Sequence, residues 1–288
     1  MDIAEIYEKY PDHVDCLKHL EKVRWPQKPI CPYCKSIKIT AFKNEYRYHC
    51  NNCNTSFSVT VATIFHKTKL DLQKWFLAVS LILNAKKGIS ARQLARDIRV
   101  NKNTAWYMRM RIRRAMSQNS ELLSGIIEAD ETYIGGKDKN KHNDKKSGGT
   151  QGRNTKDKIA VVGVLERNGE VRARRVKDVT TKTLKRVLRD NIERNSDVIT
   201  DNWRGYIGIT SDFKHRIVLH NKGQYVNGKD HVNTLEGFWS LLKRGIIGQY
   251  HKISKRYLQK YVDEFCFRYN NRNNGFIFEK TLKLSLGV

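Results

Sequence analysis

Two Cys-x-x-Cys pairs, Cys31-Pro32-Tyr33-Cys34 and Cys50-Asn51-Asn52-Cys53, lie fifteen residues apart and constrain this chain more than any other feature. Each pair offers two thiolates from one short turn, and four soft ligands converging at about 2.3 Å satisfy a tetrahedral zinc ion. Pro32 presets the first turn, and Tyr46 and Tyr48 mark a strand between the pairs. Two redox motifs are the competing reading, but the paired spacing favours metal. The pattern predicts a structural zinc ribbon with Cys31, Cys34, Cys50 and Cys53 as ligands. Four thiolates leave no open coordination position, so such a metal stabilises a fold and does not catalyse. Cys16 and Cys266 fall on helical patterns and read as packing residues.

A ribbon occupies little of a 288-residue chain, and the chain as a whole is strongly basic: 55 Lys and Arg against 29 Asp and Glu give a formal charge of +26. A polyanion is the expected partner. Hydrophobic residues at 39% and aromatic ones at 10% support folded domains, which excludes a wholly disordered basic tail. No apolar stretch approaches the roughly 20 residues of a membrane span, and the N-terminus opens with charged residues. Membrane and secretory readings fail, and tight cysteine pairs suit a reducing compartment, so the expectation is a cytoplasmic, nucleoid-associated protein.

Composition divides the chain into an N-terminal helical segment (1–25), the ribbon (26–60), a helical region (61–120) and a mixed domain (121–288). In the ribbon, strands are expected at 45–49 and 56–60. Leu72, Trp75, Phe76, Val79, Ile82 and Leu83 form a helical stripe that Gly88 breaks. Beyond Ser124 the pattern predicts strands at 125–129, 159–165 and 170–176, the three antiparallel. A helix at 181–194, strands at 198–200 and 216–219, and helices at 234–245 and 254–271 follow. Residues 137–158, rich in Lys, Asn, Asp and Gly, read as a mobile surface loop.

Ser90 and Gln93 suit a capping box at the start of one short helix, and a second runs through Ala105, Met108 and Ile112. The second carries Lys102, Arg109, Arg111, Arg113 and Arg114, so the pair reads as a helix-turn-helix whose basic helix contacts double-stranded DNA. An ordinary helical hairpin with a solvated basic face is the bland alternative.

Metal-dependent phosphoryl transfer needs carboxylates delivered to one point by rigid elements. Asp130 is expected at the end of the apolar strand 125–129, Asp201 at the end of Asp197-Val198-Ile199-Thr200, and Glu236 early on a helix with Phe238 and Trp239. Lys243, two turns on, shares the helix face of Glu236. Glu128 and Glu131 flank Asp130, and strand alternation turns Glu131 to the opposite face.

Together these residues resemble the DDE transposases of prokaryotic insertion sequences with an N-terminal zinc ribbon. The likeness covers nearly the whole chain: Trp25-Pro26 and the cysteine pairs, residues 63–70, Ala129-Asp130-Glu131-Thr132-Tyr133-Ile134-Gly135-Gly136-Lys137, Thr200-Asp201, and the block from His231 to Gly245 that includes Glu236-Gly237-Phe238-Trp239 and Lys243. It implies an α+β multidomain protein whose last domain is ribonuclease H-like, a mixed sheet flanked by helices. Asp130, Asp201 and Glu236 would hold Mg²⁺ or Mn²⁺, and the 34 residues between the last two suit that family's spacing. The third acid varies most in position, so Asn233 and His231 remain alternatives to Glu236. Lys243 would reach toward DNA. The implied activity is cleavage at element ends and joining to target DNA by a homo-oligomer assembled on DNA. A DNA-binding regulator with an inactive catalytic domain and a stand-alone nuclease are the rival readings; intact acids argue against the first.

Overall fold

The computed structural model describes residues 1–43, 45–117, 121–135, 142, 158–218 and 231–287. It resolves into two compact units, one of residues 1–116 with 273–288 and one of residues 117–272. The loop expected at 137–158 lies, but for His142 and Lys158, outside the described residues. Among those described, no helix is long and apolar enough to cross a membrane.

The first unit begins with α1 (Ile3–Lys9) and α2 (His13–Arg24), started by the side chains of Asp2 and Asp12, which accept from the amides of Glu5 and Asp15. The ribbon follows as β1 (Ile39–Ala41), β2 (Tyr48–Cys50) and β3 (Thr55–Phe57), antiparallel and in that order. β1 was not anticipated, because Ile39-Thr40-Ala41 is largely exposed and carries no alternation. Next come α3 (Leu72–Asn84), α4 (Ala91–Asp97) and α5 (Lys102–Ala115). Leu72, Trp75, Phe76, Val79 and Ile82 are buried as the stripe requires, and Gly88 takes the left-handed backbone (φ +85°) after the helix ends. Ser90 caps α4 by accepting the Gln93 amide at 3.1 Å, half of the expected capping box.

The second unit is built on five strands: β4 (Ile126–Gly135), β5 (Lys158–Glu166), β6 (Val171–Arg175), then α6 (Thr181–Asn191), β7 (Asp197–Asp201) and β8 (Lys214–Val218), followed by α7 (Asn233–Gly245) and α8 (Leu258–Asn270). The sheet order is β6-β5-β4-β7-β8. β6, β5 and β4 are antiparallel as expected, whereas β4, β7 and β8 run parallel. Helix α6 packs on one face through Leu184, Val187 and Leu188 over Ile127, Ala129, Val162 and Val164. Helices α7 and α8 cover the other through Leu235, Phe238, Trp239, Leu242, Val262 and Phe265 over Val161 and Leu165. The outer edge of β6 is sealed by two amide side chains of α8. Gln259 bridges Ala173 O and Arg175 N at 3.1 and 2.7 Å, and Asn270 bridges Val171 N and O at 2.8 and 3.0 Å. The result is a mixed sheet flanked by helices within an α+β chain.

Two expectations are corrected. Asp130 does not end a strand: β4 continues five residues beyond it, because antiparallel pairing with β5 runs unbroken from Ile127↔Glu166 to Gly135↔Lys158. The last segment is not part of the sheet unit either. Helix α9 (Ile277–Leu286) packs against α2, α3 and α5 in the first unit. There Phe278 meets Phe76 edge-on at 5.7 Å and Glu279 Oε2 meets His19 Nε2 at 2.9 Å.

Candidate active site and metal centre

In the ribbon, each Cys-x-x-Cys turn is followed by a left-handed residue, Lys35 (φ +62°) after Cys34 and Asn54 (φ +52°) after Cys53, so the two knuckles share one backbone shape. The Cys31 amide donates to Ser36 O and the Lys35 amide to Cys31 O, both at 3.0 Å, which closes the first knuckle. All four Sγ atoms lie within 4.8 Å of one another, with Cys31–Cys53 at 3.7 Å and Cys34–Cys50 at 3.5 Å. Zinc–sulfur bonds of about 2.3 Å imply tetrahedron edges of about 3.8 Å, so the thiolates fit the ion. The Ser36 backbone amide pulls the Cys34 thiol down to about 6, toward the thiolate a metal needs. Trp25, Tyr48 and Phe57 pack beneath the site with ring centroids 5.5–5.9 Å apart, the small core that three-residue strands cannot supply alone.

The acids of the second unit are assembled by strand register. Parallel pairing of β4 and β7 ends at Glu128↔Ile199, and two residues further along each strand stand Asp130 and Asp201. Burial, and then the charges of Glu131 and Asp201, push the Asp130 carboxyl up to about 7. Such a pair resists double ionisation, and hard carboxylate oxygens that repel one another fit a divalent cation. Asp130 Oδ2 accepts from Trp239 Nε1 at 3.0 Å, and Asp201 Oδ1 accepts from the Trp203 amide at 3.0 Å. Glu131 faces the other way, as alternation requires, and accepts from the buried Tyr206 hydroxyl at 3.2 Å.

Room for the indole comes from Gly163, the cross-strand partner of Asp130: a Cβ there would stand 2.5 Å from Trp239 Cζ2. Glu236 lies on α7 one turn before Trp239 and is exposed, as is Lys243 two turns later. Among the described residues, the four cysteines alone bring three or more metal-binding groups within 4.8 Å of one another. Asp130, Asp201 and Glu236 thus do not all gather within that distance. Of the alternatives, Asn233 opens α7 and is exposed, whereas His231 Nδ1 stands 3.3 Å from Glu128 Oε1. Trp239 and Gly163 escape a residue-by-residue reading. Only the conjunction of an indole beside an acid on α7 with a glycine in an apolar strand signals them.

On α5 the five basic residues separate. Lys102 and Arg114 are exposed, and Arg111 is half-buried, donating to His66 O at 2.9 Å with its guanidinium 4.7 Å from the Tyr107 ring centre. Arg109 and Arg113 are each 2% exposed, so these two of the five residues expected to contact DNA do not share the exposed surface of the helix. They follow Ala105 by four and eight residues, so helical periodicity carries them into the stripe that buries Met108 and Ile112. Trp106 and Tyr107 are instead exposed beside Lys102.

Residues 11–56 match the transposase zinc-ribbon domain and residues 122–270 the ISXO2-like transposase domain. A protein in transposable element ISH50 of Halobacterium salinarum is 32% identical over 261 residues, 86% of this chain and 88% of that one. A transposase-like protein of Haemophilus influenzae is 28% identical over 97 residues, 33% of this chain and 77% of its own. Among solved structures, the pre-cleavage Mos1 transpososome is similar at 12% identity and TM-score 0.31, covering 73% of this chain and 77% of that one. The Mos1 strand transfer complex is similar at 13% identity and TM-score 0.31, covering 74% and 77%.

Proposed function

The chain belongs to the ISXO2-like transposases of insertion sequences, and on that premise we propose that it binds the ends of its element, cleaves a phosphodiester there and joins the freed 3′-hydroxyl to target DNA. The observation that carries the reading is the placement of Asp130 beside Asp201 at the end of their parallel register, next to the helix that bears Glu236. Asp130, Asp201 and Glu236 would hold Mg²⁺ or Mn²⁺. Such cations, when bound, activate the attacking oxygen and stabilise the charge on the leaving one. Trp239 holds the Asp130 carboxylate in one orientation, and Lys243, one turn further along the same helix, meets a DNA phosphate or a nearby base. The active form is a homo-oligomer on DNA, and the ribbon thiolates hold structural zinc.

The helix α4, its turn and α5 supply duplex recognition, with Lys102, Arg111 and Arg114 as the phosphate contacts. The test uses purified protein, Mg²⁺ and labelled duplexes carrying the element's own ends. Asp130→Asn, Asp201→Asn and Glu236→Gln should each abolish nicking and strand transfer while retaining end binding, and double variants should be little worse than singles. Strand transfer by Glu236→Gln at the wild-type rate would remove Glu236 from the site. Nicking without any joined product would reduce the protein to a nuclease.

A further inference from the structure

Glu128 is fully buried, yet its carboxylate joins three elements, its own strand and two others. Oε2 accepts the backbone amide of Leu235 at 3.0 Å, and Oε1 accepts the Thr234 hydroxyl at 2.9 Å and Arg167 Nε at 3.2 Å. Arg167 Nη2 also donates to His231 O at 2.9 Å, so the chain entering α7 is held by the same ion pair. These groups belong to β4, to the turn after β5 and to the first turn of α7.

A helix start leaves four amides without intrahelical partners, and a Ser, Thr, Asp or Asn usually serves one of them. Val232 occupies that position before α7 and can supply nothing. Glu128 supplies the missing acceptor from a different element, and its negative charge lies at the positive end of the helix dipole. Burying a carboxylate is unfavourable unless it is paired, and apolar side chains of similar size would pack as well. Apolar contacts, however, let a helix slide along a sheet, whereas hydrogen bonds to a named amide and hydroxyl fix its register.

Strand alternation places Glu128 and Asp130 on the same face of β4. Glu128 ties α7 at Leu235, and Asp130 is tied to it at Trp239. Glu236 lies between those two ties. We propose that Glu128 is a positioning residue for phosphodiester cleavage: by anchoring the first turn of α7 to β4 it sets where Glu236 stands relative to Asp130 and Asp201. The proposal rests on the reading of Glu236 as the third acid.

The test compares full-length Glu128→Gln, Thr234→Val and Glu236→Gln with wild type. In metal-free Glu128→Gln, hydrogen exchange at the Leu235 amide should accelerate about tenfold or more, the factor that loss of roughly 1.4 kcal/mol of local protection gives, while amides in β5 keep their rates. Its single-turnover cleavage rate should fall about tenfold or more, the Mg²⁺ concentration for half-maximal cleavage should rise, and affinity for end DNA should stay within about twofold, since recognition lies elsewhere. Thr234→Val, which removes one donor and leaves the ion pair, should show the same pattern at smaller amplitude. It keeps the proposal testable if Glu128→Gln fails to fold. Cleavage by Glu236→Gln at the wild-type rate would overturn the reading of Glu236. If Glu236→Gln is inactive but Glu128→Gln cleaves normally with unchanged Leu235 exchange, Glu128 is not a positioning residue. A loss of cleavage that merely follows the fraction of unfolded protein, with Leu235 exchange unaltered, overturns it equally.

Discussion

Asp130 carries the tension of the carboxylate site in its own ionisation. Its folded-state value of about 7 lies above the ordinary 3.8, so the metal-free native state holds this proton more tightly than the unfolded chain does. Stability from this group is therefore fully present below about pH 4 and is lost as pH rises to about 7. Asp130→Asn should stabilise the metal-free protein by roughly 2–4 kcal/mol above pH 7, and the gain should vanish near pH 4; urea melts at the two pH values measure both. The glycine opposite is as informative. Gly163→Ala drives a methyl group into the Trp239 ring, so it should destabilise by about 1–3 kcal/mol and slow cleavage through displacement of the indole from Asp130. Asp130, Asp201 and Glu236 stand out in the sequence because polar residues interrupt apolar runs there. Glu128 was visible only as a neighbour of Asp130, because its role depends on the amide of a residue 107 positions away.

At the scale of elements, α5 separates two kinds of arginine that a sequence shows as one. Replacing Lys102 and Arg111 by Ala should weaken DNA binding and flatten its salt dependence by about one unit per lost phosphate contact. Arg109→Ala and Arg113→Ala should instead lower the thermal midpoint, because both side chains are buried. A titration of affinity against salt, read beside a melt, tells the two outcomes apart. The ribbon tests the same logic: β1–β3 are three residues each, so chelation of zinc should unfold residues 26–60 and leave the circular dichroism of the sheet unit intact. Spacing alone made the metal site readable, since thiolate geometry admits few alternatives. Strand ends were not readable to the same degree. β4 extends through Asp130 and Glu131 because β5 pairs with it there, and hydropathy records burial, not pairing.

At the scale of the molecule, the sequence is divided differently from the fold. Residues 273–288 follow the sheet unit in the chain but complete the core of the first unit, where Phe278, Leu282 and Leu286 are buried. Nothing local in an amphipathic helix says which of two cores it enters, so the range 121–288 keeps these residues with the sheet unit by adjacency alone. Deleting residues 273–288 should lower the unfolding midpoint of the first unit, each lost buried side chain removing about 1.5–3 kcal/mol, and leave that of the sheet unit unchanged; hydrogen exchange resolved by segment distinguishes them. The same return of the chain has a consequence in time. A ribosome delivers α1 to α5 first and α9 last, with 156 residues of sheet unit between them. At about 5–20 residues per second this interval is roughly 8–30 s, during which the first unit waits for its final helix. Any partner that requires a finished first unit meets only chains whose sheet unit has already been made.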